Sequence, residues 1–400
     1  MPKQSSNKKY AMKIFMLLSR VPYPLEKGDK LRAFNHIKFL SKKNDIILCA
    51  LNDSKIHKQE AVNALMPFCK SISIIDLSKF SIFINIIKAL FTGKPLQVGY
   101  FYSKKTKRKI DKLIKKTNPN HIFCQLIRVS EYVKNYNISK TLDYQDVFSK
   151  GIERRIKVSP FYLKPFFKLE YNRLKKYENY IFKYFDNKII ISIPDRELIP
   201  HHERDKIIVI PNGVDTEYFR PVNCKKQYDL LFTGNMGYPP NIFAAEYLVK
   251  EILDYVYKKY PNIKLLIAGA NPSKKILALK SKNVDVAGWV KDMRECYAKA
   301  RVFVAPMKIG TGLQNKLLEA MAMQIPCITS PLANQSLEAK QNKEILIANT
   351  AKQYAEHIFF LLENEQQAKK IALNAYNMIL EKYNWTFLTD KLEKVIKDSG

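Results

Sequence analysis

Gly310-Thr311-Gly312-Leu313-Gln314-Asn315-Lys316-Leu317-Leu318-Glu319-Ala320-Met321-Ala322 is the stretch that decides how this chain reads. A short apolar run, Val302-Phe303-Val304-Ala305-Pro306, precedes it and reads as a strand. Gly310 and Gly312 mark a loop that can adopt positive φ and let the backbone approach a ligand closely. From Leu313 onward good helix formers continue until Pro326. Strand, glycine loop and helix start therefore follow one another. That order presents backbone N–H groups and the positive end of a helix dipole to an anion such as a phosphate. Lys316, in the first turn, adds a full positive charge. Glu319 lies three residues further along the same helix face. A carboxylate only accepts hydrogen bonds, so this one suits the paired hydroxyls of a ribose. Together the loop and the acid outline a sugar-nucleotide site. An ordinary turn followed by a solvated Lys316–Glu319 pair is the alternative reading of the same letters.

The surrounding sequence adds to the first reading. Gly288-Trp289-Val290, then Tyr297-Ala298-Lys299-Ala300-Arg301-Val302-Phe303-Val304-Ala305-Pro306, the glycine loop and Leu318-Glu319-Ala320-Met321-Ala322 occur in that order. Pro211-Asn212-Gly213-Val214-Asp215 and Phe232-Thr233-Gly234-Asn235 come before them. This series resembles the donor half of the GT-B glycosyltransferases, in particular family four (glycosyl transferases group 1), closely from about residue 207 to 385 and more loosely before that. The resemblance implies an α/β chain of two Rossmann-like, doubly wound parallel-sheet domains facing a cleft. It implies transfer of a sugar from a nucleotide-diphosphate sugar to an acceptor hydroxyl, with retained anomeric configuration and with no metal or other cofactor. Departure of the diphosphate leaves negative charge that the N–H groups of Thr311, Gly312 and Leu313, with Lys316, would meet from one side, Gly310 and Gln314 being further substrate-binding candidates in the same loop. Gly234 and Asn235 would meet it from the other, and Gly288, Trp289 and Val290 would hold the base. The family pattern carries two glutamates with seven residues between them. Glu319 matches the second, but Thr311 stands where the first would be, which leaves the donor sugar open.

Four hundred residues suggest two domains. The formal net charge is +31, and it is unevenly spread. Residues 1–200 hold 40 Lys and Arg against 16 Asp and Glu, or +24; residues 201–400 hold 28 against 21, or +7. The first half is therefore suited to an anionic partner: nucleic acid, an acidic membrane surface or a phosphorylated substrate. Genome-wide lysine enrichment accounts for part of the lysine count but not for the asymmetry. The six cysteines are scattered, with no C-x-x-C pair, so neither a disulfide framework nor a zinc site is expected and a reducing compartment is. His201-His202-Glu203 lacks the spacing of a helical zinc site and reads as a polar turn. No window approaches the roughly 20 apolar residues of a spanning helix.

In chain order, Ala11–Leu18 reads as a buried first strand, and a loop with Gly28, Asp29 and Arg32 leads into a helix at Ala33–Leu40. By the resemblance these three residues become candidates for acceptor or donor phosphates; as a sequence they also read as a turn and a helix start. Further strands are expected at Asp45–Leu51, Ile72–Leu77, His121–Leu126, Thr141–Asp143, Lys188–Ser192 and Lys206–Ile210. Asp143 stands at a strand end, where a general base for the acceptor hydroxyl could sit. His36 and His121 match no catalytic motif. Phe80–Phe91 is apolar on several faces, Ser103–Lys116 is strongly basic, and Ser159–Lys168 interleaves aromatics with lysines in a way that suits a membrane interface or a helix-packing patch. Tyr171–Phe185 reads as a helix. Pro211 begins the second domain, with strands at Asp229–Thr233, Lys264–Ala268, Val284–Ala287, Val302–Ala305 and Cys327–Thr329 and a helix at Asn241–Lys259.

The chain is thus expected to comprise an acceptor-side domain at 1–210 and a donor-binding domain at 211–383, with a terminal helix at 384–400 packing back on the first. The leading functional reading is a cytoplasmic glycosyltransferase, peripheral on the inner face of the plasma membrane. It would use a nucleotide-diphosphate sugar and a glycan or lipid-linked acceptor in cell-surface polysaccharide or glycolipid synthesis, with no nucleic acid as partner. The competing readings are a sugar-nucleotide epimerase of the same fold and a basic nucleic-acid-binding protein.

Overall fold

Buried aliphatic runs lay down two parallel sheets, with helical returns between the successive strands of each. Ile14 to Leu18 are all fully buried. Such continuous apolar strands are what a sheet covered on both faces requires. The computed structural model describes residues 11–398 apart from Glu26, Lys55, Gly310, Thr311 and the side chain of Val158. It divides into two compact units, one formed by the chain up to Ile210 together with Thr389–Gly400, the other by Pro211–Leu388.

The first unit holds β1 (Lys13–Leu18), β2 (Asp45–Asn52), β3 (Ser71–Asp76), β4 (His121–Gln125), β5 (Ser139–Gln145), β6 (Asn187–Ile190) and β7 (Ile208–Val209). They form one sheet in the order β3-β2-β1-β4-β5-β6-β7, with every pairing parallel. The order reverses between β1 and β4. A doubly wound sheet opens a crevice at that point, beyond the carboxyl ends of the strands. Its core gathers Phe15, Leu17, Ile122, Leu142 and Leu174 among others.

The second unit repeats the plan with β8 (Tyr228–Thr233), β9 (Leu265–Ala268), β10 (Val284–Gly288), β11 (Ala300–Ala305), β12 (Cys327–Thr329) and β13 (Leu346–Ile347). Their order is β10-β9-β8-β11-β12-β13, again all parallel. Here the reversal falls between β8 and β11. The second unit has its own core, from Val214 to Tyr383. Val214 N–H donates to the Tyr383 carbonyl at 2.8 Å. A Cβ on Gly213 would lie 2.7 Å from that same carbonyl and 2.9 Å from the buried Trp385 ring, so only glycine fits there.

Some elements differ from expectation for local reasons. The helix expected from Tyr171 starts seven residues earlier, at Lys164–Phe182, because Pro165 occupies its first turn, where a missing N–H costs nothing. The helix expected at Asn241–Lys259 is Pro239–Tyr247, a π-helical turn at Leu248–Ile252, and Leu253–Tyr257. The final helix, Trp385–Lys397, begins in the second unit and ends in the first. Within the first unit its last turns are held by Asn44 to Glu393 at 3.2 Å and by Asn187 to the Val395 carbonyl at 2.8 Å.

Candidate active site

In the second unit the glycine loop leaves β11 at the switch point and feeds the helix Asn315–Ala322. Gly310 and Thr311 lie outside the described residues. Gly312 has φ +86°, and a Cβ there would meet nothing within 4 Å, so the loop backbone borders open space. Gln314 N-caps the helix without a side-chain cap. Its Nε2 donates instead to the Gly312 carbonyl at 3.1 Å, which fixes the loop against the helix start.

Lys316 is buried, 8% exposed, which departs from the solvated ion pair offered by the alternative reading. Its ammonium donates to Asn241 Oδ1, lies 3.7 Å from Met307 Sδ, and sits over the Phe232 ring at 4.9 Å. Asn241 in turn donates from Nδ2 to the Asn235 carbonyl at 2.9 Å. One amide side chain therefore clamps the loop after β8 to the helix after β11. Gly234 lies beneath this clamp. A Cβ on it would stand 2.7 Å from Asn241 Nδ2 and 3.3 Å from Lys316 Nζ. The structure thus brings together Gly234, Asn235 and Lys316. Asn241 was missed in the sequence because a lone asparagine in a helix carries no signal of its distant partner.

Glu319 is tied to the same corner by Tyr297, whose hydroxyl donates to Glu319 Oε2 at 2.7 Å and lies 2.9 Å from Thr233 Oγ1. Tyr297 is fully buried, so this bridge is rigid. Burial drives the two ionisable groups in opposite directions. It lowers Lys316 to about 7, with the Glu319 charge opposing the shift. It raises Glu319 to about 7, against the pull of the Tyr297 hydroxyl and of Lys316. Among the described residues no carboxylate comes within ion-pair distance of this ammonium, so Glu319 offsets only part of the cost of its burial.

The remaining strand ends continue the row. Gly269, after β9, donates its N–H to the Gly288 carbonyl at 2.8 Å. A Cβ on Gly269 would fall 1.7 Å from the Gly234 carbonyl oxygen, so two backbones touch here and no side chain is possible. Gly288, Gly269 and Gly234 thus form a side-chain-free shelf. Trp289 is 68% exposed beside it, which excludes a role in core packing, and Val290 is half-buried.

In the first unit the expected residues separate. Gly28 and Asp29 begin the helix Gly28–Leu40 at the β1/β4 switch point. There Asp29 pairs with Arg20 at 3.0 Å, and Gln125 donates to the Asp29 carbonyl at 3.0 Å. Arg32 and Asp143 correct the expectation. Both side chains are 0% exposed and face each other, Nε to Oδ2 at 2.7 Å and Nη2 to Oδ1 at 3.4 Å. The pair crosslinks the first helix to β5, and neither member is open to an acceptor. Asp143 Oδ1 also accepts the Gln145 N–H at 3.1 Å. His121 opens β4, at the opposite end of that strand from Gln125, with Nε2 2.9 Å from Thr141 Oγ1. His201, His202 and Glu203 bring ligand atoms within 4.8 Å of one another. His201 stacks on Phe182, its Nδ1 accepts the Glu203 N–H at 3.0 Å, and Glu203 pairs with Lys206. They form a polar turn.

Comparison with known proteins fits this geometry. Residues 227–364 match the model of the family described as glycosyl transferases group 1. An uncharacterized 44.6 kDa protein in the cps region of Klebsiella pneumoniae is 26% identical over 396 residues, covering 93% of this chain and 96% of that protein. Among solved structures, a glycosyltransferase from Rickettsia africae superposes with a TM-score of 0.69 at 15% identity, covering 97% of this chain and 99% of that one. HepE of Anabaena, solved in complex with UDP-glucose, superposes with a TM-score of 0.68 at 11% identity, covering 97% of this chain and all of the other. Residues 227–364 of the second unit are thus a domain of the glycosyl transferases group 1 type, in a chain whose two doubly wound sheets share the fold of these glycosyltransferase structures.

Proposed function

We propose that this enzyme moves a sugar from a nucleoside diphosphate sugar to a lipid-linked glycan acceptor during assembly of a surface polysaccharide, working from the cytoplasmic side at an anionic membrane. The corner made by Lys316, Asn241, Gly234, Tyr297 and Glu319 carries this reading. The leaving diphosphate sits on the Gly312–Gln314 loop and the start of the Asn315–Ala322 helix. There N–H groups and the Lys316 ammonium stabilise the charge that grows as the bond to the anomeric carbon breaks. Glu319, held by Tyr297, accepts from the ribose hydroxyls. The base lies along Gly288, Trp289 and Val290. Lys316 and the helix dipole take the part a metal plays elsewhere, so turnover should survive chelation, and the sugar keeps its anomeric configuration. The K. pneumoniae relative described from a cps region supports a capsular product, and the UDP-glucose held by HepE makes uridine diphosphate sugars the first donors to try.

The test pairs a thermal-shift screen of UDP-, GDP- and dTDP-sugars with a transfer assay on a lipid-linked acceptor. A donor that binds the native state raises the melting point. Lys316→Ala and Glu319→Ala should abolish transfer in protein that still melts cooperatively. Unaltered turnover in both would end this assignment of the site. Conversion of a sugar nucleotide with no acceptor present would instead mark an epimerase.

A further inference from the structure

The helix Lys79–Thr92 is well made but badly hidden. Ser78 caps it by accepting the Ser81 N–H at 3.0 Å, and Gly93, at φ +70°, ends it. Yet of its fourteen residues only Ile82 and Ala89 are buried. Phe80, Phe83 and Phe91 are 75%, 63% and 87% exposed, with Ile87 and Leu90 beside them. Positions 80, 83, 87 and 90 or 91 fall on one helix face. A second exposed run lies at Phe161, Tyr162, Leu163, Phe166 and Leu169. The two are joined. Arg173, one turn beyond Leu169, donates to the Leu90 carbonyl at 2.8 Å and to the Ala89 carbonyl at 3.2 Å, and Glu170 accepts the Leu96 N–H at 2.9 Å. An exposed apolar surface of this kind marks an interaction site.

We propose that these two runs form one docking face that enters the interface of a bilayer containing anionic phospholipid; this deepens the membrane part of the proposed function and rests on it. Charge decides the occupant. Lys79, Lys88, Lys164 and Lys168 are exposed within the apolar runs. The first 200 residues carry +24. Such a surface is drawn to acidic headgroups, whereas a second copy of a +31 chain repels it. Aromatic rings and lysines whose stems lie in the apolar zone are the composition of an interfacial element. Fourteen helical residues reach about 21 Å, too short to cross the hydrocarbon core. The helix therefore lies in the plane of the membrane.

The full chain is floated with phosphatidylcholine vesicles that contain or lack phosphatidylglycerol. Binding should require phosphatidylglycerol and weaken with salt. A variant carrying Phe80→Ser, Phe83→Ser and Phe91→Ser should bind at least about tenfold more weakly, since each ring withdraws apolar area from water. Lys164→Gln with Lys168→Gln should reduce both binding and its salt dependence. A thermal shift with the sugar nucleotide, read on every variant, reports folding and the donor site independently. If vesicles bind and no donor does, the docking face stands and the transfer reading fails. Unchanged flotation of the triple-serine variant overturns the proposal. So do failure of the unmodified chain to float with phosphatidylglycerol, and a lipid-free dimer that the serine substitutions abolish.

Discussion

Replacing Lys316 by Met should stabilise the ligand-free protein while disabling the proposed donor site. Ordinary lysine has a pKa of 10.5, and burial lowers Lys316 to about 7. The difference corresponds to about 5 kcal/mol of destabilisation carried by the ammonium form at neutral pH, taken as an upper bound. Methionine fills a similar volume and removes that charge. Against this, Asn241 Oδ1 loses its donor, which costs about 1–3 kcal/mol. The net expectation is a gain of about 2 kcal/mol, or about 5 °C in Tm for a unit of this size. The sign follows from the direction of the shift. A lysine whose folded pKa is lowered penalises the fold fully below pH about 7, and the penalty fades as pH rises toward 10.5. The advantage of Lys316→Met should fade over the same window. Meanwhile affinity for UDP or its sugar should fall at least about 30-fold, since a buried charge partner is lost. Thermal melts with and without UDP, repeated across pH, read both effects. A variant less stable than the parent at pH 7, or one keeping the full UDP-induced shift, would refute the reasoning.

Three further outcomes follow from other residues. Asp143→Asn leaves Arg32 buried against a neutral partner and should destabilise the first unit by about 3 kcal/mol, with UDP affinity unchanged; a loss of turnover at unchanged stability in denaturant melts would restore Asp143 as a base. Gly269→Ala forces a Cβ to within 1.7 Å of the Gly234 carbonyl and should cost about 3 kcal/mol or more, with UDP affinity falling alongside, both measurable by chemical unfolding and titration. Trp289→Ala removes an exposed ring and should change stability by less than about 0.5 kcal/mol, while weakening nucleotide binding about tenfold if the ring stacks on the base; equal affinity would leave that role to backbone alone.

The sheet strands were legible because a parallel sheet covered on both faces must be written as apolar runs, and Ile14–Leu18 or Val302–Ala305 admit little else. The two-residue strands β7 and β13 carry too little pattern to mark their length. The helix at Asn315–Ala322 was legible from its glycines and helix formers. The state of Lys316 and Glu319 was not. A lysine and a glutamate three apart look like a surface pair until the chain that covers them is known. Their partners Asn241 and Tyr297 lie 75 and 22 positions away. Arg32 entered the site through the resemblance, and Asp143 because charged residues at strand ends often serve chemistry. They are 111 positions apart, and only the fold shows that each neutralises the other. The apolar excess of Phe80–Phe91 was visible in composition, but which of its faces stays open depends on Arg173 and Glu170 of another helix.

The claim that the Lys316 corner grips a diphosphate is tested most directly by proton uptake on binding. UDP is titrated calorimetrically into the protein at pH about 8, in buffers of different ionisation heat. Lys316 is then largely neutral before binding, and a diphosphate beside it restores the ammonium, so uptake should approach one proton per nucleotide and vanish in Lys316→Met. Binding of UDP without proton uptake at that pH, or with the same uptake in the methionine variant, would contradict the account.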